Sequence, residues 1–132
     1  AVTQRMPLLT TEIGFQKWYL DELSENLRIK ALDFLNKQEL KIKELNLSKE
    51  ETQYYIGMGY NISNRLTGNL PALVYLAELR ATRFVHPTLR YKAIKMAETL
   101  TDLFGKHGLI MHLDAEPDRF DIKRGEHDIV LK

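Results

Sequence analysis

The sequence predicts a mainly α-helical fold, with an α+β fold as the alternative. Apolar residues recur at three- and four-residue spacing over long stretches, helix-capping patterns precede several of them, and only two short apolar runs resemble strands. The expected architecture is a long N-terminal helix, a short helix and two packed helices, followed by a small β-like C-terminal tail. At 132 residues the chain suits a single domain over residues 1–132.

The composition excludes several classes of protein. Lys and Arg total 19 against 18 acidic residues, so no broad attraction to nucleic acid or to a membrane surface is expected. The absence of cysteine excludes disulfides and thiolate chemistry. No apolar run approaches the roughly 20 residues of a membrane helix, and no signal peptide is visible. We therefore expect a cytoplasmic protein, and the missing initiator Met favours a fragment of a larger one.

The first half of the sequence is expected to form a structural scaffold. Residues 1–10, which include Pro7, are expected to be extended. A long helix is predicted from Thr11, weakening towards Leu45 with a break near Asn36. Its apolar stripe comprises Ile13, Leu20, Leu23, Leu27, Ala31 and Phe34.

A short helix and a glycine-rich segment come next. Ser48 followed by Glu51 has capping-box spacing, so a helix should begin there and end near Gly57. Residues 57–69 are rich in glycine and asparagine. Such a segment is either a connector or a loop that brings backbone close to a ligand, and both interpretations stay open.

Two amphipathic helices joined by a bend form the centre of the sequence. Asn69 is placed to cap the first helix, with Pro71 in its first turn, and Pro87 begins the second, which should stop at Gly105. The expected buried residues are Ala72, Leu73, Leu76 and Leu79, then Leu89, Ala93, Met96, Ala97, Leu100 and Leu103. The later apolar runs at 109–113 and 128–131 predict a strand pair or extended segments.

The bend between these helices is a candidate anion site. Arg80, Arg83, His86 and Arg90 lie close together in sequence, and the second helix should offer free N–H groups at its start. Arg80 also has a structural interpretation, in which it caps the helix end and pairs with Glu78 or another carboxylate. On residue chemistry alone the structural interpretation is slightly favoured.

The bend also carries a family resemblance. The run LPALVYLAELR, followed closely by HPTLR, resembles the C-terminal half of flavin-dependent thymidylate synthases, the ThyX family. The similarity spans about residues 50–103 and would suit the degenerate second half of a tandem protein. It implies that Arg80 contacts the phosphate of dUMP and that Asn69 and His86 line an FAD site. It also implies a homo-oligomer acting in the dUMP to dTMP pathway.

The family's Arg-His-Arg signature, which holds the flavin and activates the uracil ring, occurs nowhere in the sequence. The resemblance therefore implies a domain that contributes nucleotide binding, flavin binding and assembly, with catalysis dependent on a missing N-terminal half. No residue is predicted to be catalytic. Arg80 and Arg90 are the predicted phosphate-binding residues, and no metal site is predicted because the histidines lack ligand spacing.

The alternative function belongs to a different class. The chain would be a non-catalytic helical protein–protein interaction domain without a ligand. Arg80, Glu78 and Arg90 would then form a structural ion network, and the long first helix would pack against a partner.

Overall fold

The computed structural model describes residues 2–118, and it confirms a mainly α-helical protein. The described chain groups into two compact units, one of residues 4–66 and one of residues 2–3 with 67–118. The prediction of a single domain over residues 1–132 stays a prediction. Among the described residues, no helix is long and apolar enough to cross a membrane.

The unit of residues 4–66 contains three helices, where one long helix and one short helix were predicted. These are α1 (Lys17–Asp21), α2 (Glu25–Glu44) and α3 (Lys49–Thr52), the last continuing into a 3-10 turn, Gln53–Tyr55. The prediction of a helix from Thr11 with a break near Asn36 was wrong: the break precedes Glu25, and α2 passes through position 36. Arg28 stabilises this break, because its Nε and Nη2 donate to the carbonyl oxygens of Leu20 (2.9 Å) and Leu23 (3.3 Å).

The capping box at the start of α3 is confirmed. The Ser48 hydroxyl accepts from the Glu51 N–H at 3.2 Å, and the Glu51 carboxylate accepts from the Ser48 N–H at 3.1 Å. The Ser48 hydroxyl also donates to the Glu51 carboxylate at 2.8 Å, and this bond, followed by the one from the Ser48 N–H, lowers the pKa of Glu51. Two N–H groups of the first turn thus gain partners.

A close backbone contact joins the segment before α1 to the segment after α3. Gln16 N–H donates to the Gly59 carbonyl at 2.7 Å, and the Phe15 and Tyr60 rings meet edge to face at 5.4 Å. Gly59 has φ +105°, and a Cβ there would lie 2.5 Å from Phe15 Cε2. Only glycine meets both demands without strain.

A two-stranded sheet pairs β1 (Thr3–Arg5) with β2 (Arg65–Thr67). The first strand lies in the predicted extended segment, whereas the second lies in the stretch interpreted as a loop. Three residues are too few to show a strand's alternation of apolar and polar side chains, so the sequence carried no signal for β2.

The other unit is built on α4 (Leu70–Arg80) and α5 (Pro87–Phe104), followed by a 3-10 turn, Gly105–His107. The Asn69 cap and both prolines are placed as predicted. The prediction of buried leucines was partly wrong, because Leu79, Leu89 and Leu103 are 43%, 48% and 57% exposed. The most buried apolar side chains of the unit are Ala93 and Ala97, as predicted, and Ala77 and Ala81, which were not predicted. Small side chains let two helices approach closely, which leaves larger leucines at the margin.

In the C-terminal tail, the strand pair predicted from two apolar runs is not formed by the first run. Residues 109–113 adopt no strand, and the His112 N–H instead donates to Glu78 Oε1 on α4 at 2.7 Å. The predicted second run, residues 128–131, lies outside the described residues.

Candidate anion-binding bend

Residues 81–86 connect α4 to α5 in a tight, hydrogen-bonded bend. The Ala81 N–H donates to the Ala77 carbonyl at 2.9 Å, and the Val85 N–H donates to the Thr82 carbonyl at 3.1 Å. The Thr82 hydroxyl donates to the Leu79 carbonyl at 3.3 Å. These bonds satisfy groups that a helix end leaves open and fix the path of the bend.

Arg80 ends α4 with an exposed side chain. Within residues 2–118 its guanidinium forms no hydrogen bond or ion pair. Its expected carboxylate partner is engaged elsewhere, since Glu78 Oε1 accepts from the His112 N–H and lies 3.4 Å from His112 Nδ1. The ion network that the interaction-domain alternative expects therefore does not include Arg80 in the described part of the chain.

Arg90, the second predicted phosphate ligand, is placed differently. It is 7% exposed, and its Nε donates to the Ala81 carbonyl at 2.9 Å. Its Nη2 donates to the carbonyls of Asp114 (2.8 Å) and Glu116 (2.7 Å), and its Nη1 donates to the Asp118 carboxylate at 2.7 Å. An incoming phosphate would have to displace these partners. The geometry assigns Arg90 to holding the bend against residues 114–118.

Arg83 is less tightly bound by carboxylates than Arg90, but unlike Arg80 it lies near two of them. Its Nη1 lies 3.8 Å from Asp114 Oδ1 and 3.9 Å from Glu116 Oε2, too far for hydrogen bonds. Its Nε is buried without a hydrogen-bond partner among residues 2–118, and its guanidinium lies 5.2 Å from the centre of the Phe84 ring. Arg83 thus contributes positive charge to the bend and packs on an aromatic face.

Asp114 anchors the bend from the opposite side. Its carboxylate accepts from the Arg83 N–H at 2.9 Å and from the Glu116 N–H at 3.1 Å. These backbone bonds, the one from Arg83 first, lower the pKa of Asp114. In the sequence, residues 114–118 have only a turn-like composition. An Asp two residues before Glu116 is a turn signal, but this pattern does not identify Arg83 as a distant hydrogen-bond partner of Asp114.

The start of α5 offers no free N–H groups, so that part of the prediction was wrong. The Thr88 N–H donates to His86 Nδ1 at 3.3 Å, and those of Leu89 and Arg90 both donate to the His86 carbonyl at 2.9 Å. His86 therefore serves as the helix cap, and cations alone are left to attract an anion.

Asn69 lies far from the bend. Its Oδ1 accepts from the Ala72 N–H at 3.0 Å at the N-terminal end of α4, whereas Arg80 ends the same helix. Eleven helical residues span about 16 Å. Arg80 and His86 therefore bound the same short bend, whereas Asn69 lies at the far end of α4 within one chain.

Comparisons with protein-family models, curated proteins and solved structures found no match to this chain. Residues 2–118 contain no group of three His, Cys, Asp or Glu side chains placed to hold a metal ion.

Proposed function

We propose that this chain binds the phosphate of a nucleotide at the 80–86 bend, as a domain similar to the C-terminal half of a flavin-dependent thymidylate synthase. The observation that supports this most directly is Arg80, an exposed guanidinium that has no partner among residues 2–118 and stands at the end of a well-formed helix. By the resemblance, the nucleotide is dUMP. Assembly with further copies, or with a chain carrying the family's N-terminal half, belongs to the same proposal.

The chemistry of Arg80 suits a phosphate. A guanidinium presents parallel N–H donors that match two phosphate oxygens, and such charge-assisted bonds are about twice as strong as neutral ones. Binding a phosphate would not require Arg80 to break an existing ion pair within the described structure. Hydrogen bonds from Arg90 to the Ala81 carbonyl and from the Arg83 N–H to Asp114 keep the helix end in place. Binding to a preformed site avoids part of the entropy cost of ordering it.

The residues present fit a flavin less well. Asn69 and His86, which the resemblance places at FAD, lie at opposite ends of α4, and the Oδ1 of Asn69 and Nδ1 of His86 already cap helices. The sequence also lacks the Arg-His-Arg motif. We therefore assign no hydride-transfer step to these residues. A flavin shared between Asn69 of one chain and His86 of another would need that motif from a different chain.

A thermal-shift titration tests the proposal. Addition of dUMP should raise the melting temperature of the full chain, since a ligand that binds only the folded state stabilises it. Arg80→Ala should abolish that rise with little effect on the unliganded melting temperature. Arg5→Ala is the matched control, because Arg5 is also an exposed arginine, in β1. No rise with dUMP in the wild-type chain, or equal rises in all three proteins, would contradict nucleotide binding at Arg80.

The second candidate function is a helical protein–protein interaction domain. Many large apolar side chains of the described chain are exposed, including Met58 at 100% and Phe34 at 64%. Both line a cavity of about 600 Å³ in the unit of residues 4–66, with Phe15, Tyr19, Tyr55 and Tyr60 among its other lining residues. Exposed apolar surface of this kind is typical of binding surfaces. A wild-type chain that shows neither a dUMP response nor flavin absorbance would favour this second function.

A further inference from the structure

Helix α2 carries an apolar row that its own unit does not cover. Ile29, Leu32 and Leu40 are 60%, 43% and 58% exposed. At 100° per residue they lie with Asn36 within an arc of about 80° on one side of the helix. We call Ile29, Leu32, Asn36 and Leu40 the α2 stripe.

The stripe is separate from the side of α2 that packs within the unit. That inward side is marked by Ile42, which is buried, and by the half-buried Ala31 and Leu35. It lies roughly 100° or more from the centre of the stripe. A surface helix of a self-contained domain usually has one apolar side and a charged opposite side. A second apolar row on α2 indicates a second packing partner.

The charges at the ends of the stripe specify what that partner is. Glu25 lies in line with the stripe at its start, and Lys43 lies in line with it at its end; both are exposed. Glu25 precedes Leu32 by seven residues, and Lys43 follows Asn36 by seven. The row is therefore symmetric about position 34, with a negative charge at one end and a positive charge at the other. If two copies pair antiparallel with position 34 of each helix at the crossing point, each Glu25 lies beside Lys43 of the other copy. Parallel pairing would place Glu25 against Glu25.

We propose that α2 packs antiparallel against α2 of a second copy of this chain through the α2 stripe. Ile29 then lies near Leu40 of the second copy, and Leu32 lies near Asn36. The two Glu25–Lys43 pairs close the ends. The inference goes beyond nucleotide binding and is independent of Arg80, because every residue that carries it lies in the unit of residues 4–66.

Sedimentation equilibrium of the full chain tests this pairing by charge exchange. The wild-type chain should dimerise. Glu25→Lys and Lys43→Glu should each weaken the dimer by roughly 2- to 30-fold, because each disrupts two surface ion pairs. The double variant Glu25→Lys/Lys43→Glu restores opposite charges and should regain wild-type affinity. Lys30→Glu is the matched control for Lys43→Glu. It makes the same change of charge at an exposed residue of α2 that lies outside the stripe, and it should leave the dimer unchanged.

Cysteine cross-linking provides a second measurement, because the chain has no cysteine of its own. A Glu25→Cys/Lys43→Cys chain should form a covalent dimer under oxidation. Glu25→Cys alone should not, since the two introduced thiols would stand about 27 Å apart in an antiparallel pair. A chain that stays monomeric at about 100 μM, far above the Kd of a specific dimer, would overturn the proposal. A double charge variant no better than either single one, or efficient cross-linking of Glu25→Cys alone, would overturn it as well.

Discussion

The Nε of Arg90 donates to the carbonyl oxygen of Ala81 across 2.9 Å, so the first turn of α5 holds the residue that follows α4. The same guanidinium binds residues 114, 116 and 118. One buried arginine thus links three segments of its unit, while Arg80, ten residues earlier in sequence, stays exposed at the helix end. This contrast assigns one arginine to structure and leaves the other for a ligand.

Replacing Arg90 should therefore cost stability more than binding. Arg90→Ala removes four hydrogen bonds and leaves the Ala81 carbonyl buried without its donor, and we expect a loss of about 3 kcal/mol in the free energy of unfolding. Arg90→Lys should recover only part, because an ammonium cannot reproduce the guanidinium geometry. Urea unfolding of the full chain measures both. A loss below about 0.5 kcal/mol for Arg90→Ala would contradict the assigned role.

Gly59→Ala should destabilise the unit of residues 4–66. The new Cβ would meet Phe15 Cε2 at 2.5 Å at a backbone φ of +105°. We expect a loss of about 1–3 kcal/mol from strain and displacement of the ring. Gly57→Ala is the control, since nothing lies within 4 Å of a Cβ there and its φ is not in the left-handed region. Equal effects of the two variants in thermal unfolding would show that the Phe15 contact is not formed.

Tyr60 should make the protein sensitive to alkaline pH. Burial, and then a hydrogen bond from its hydroxyl to Glu39 Oε1 at 3.0 Å, raise the pKa of Tyr60 from 10.0 to about 12. A raised phenol pKa means that the folded state favours the protonated form. Its contribution to stability is complete below about pH 10 and is lost as the pH rises towards 12. Absorbance titration of phenolate should show a component near pH 12 that Tyr60→Phe removes; an unchanged titration would refute this.

Asp114 should act at the acid end. The N–H groups of Arg83 and Glu116 lower the pKa of its carboxyl, so the folded state favours the charged form. Its contribution to stability is present above the unfolded pKa of about 3.9 and is lost as the pH falls through the lower folded value. Asp114→Ala should reduce stability at pH 7 and make it less dependent on pH below 4. A variant with the wild-type acid profile would show that these bonds do not form.

Local signals explain what the sequence predicted correctly. The caps at Ser48 and Asn69 and the prolines near helix starts depend on neighbours within a few residues, and all are found in place. The break before α2 was missed because Arg28 stabilises it through carbonyls up to eight residues away. The buried role of Arg90 could not be read from the sequence either, because its partners at 114–118 follow more than twenty residues later. Spacing alone could not distinguish Arg90 from Arg80.

Calorimetric titration with dUMP and with deoxyuridine, on the wild-type chain and on Arg80→Ala, tests the central claim most directly. The two ligands differ only in the phosphate, so the four affinities isolate its interaction with the guanidinium. We predict that the wild-type chain binds dUMP more tightly than deoxyuridine by about 1.5–3 kcal/mol, and that Arg80→Ala binds both equally. A preference for dUMP that survives in Arg80→Ala, or no dUMP binding by the wild-type chain, would contradict a phosphate site at Arg80.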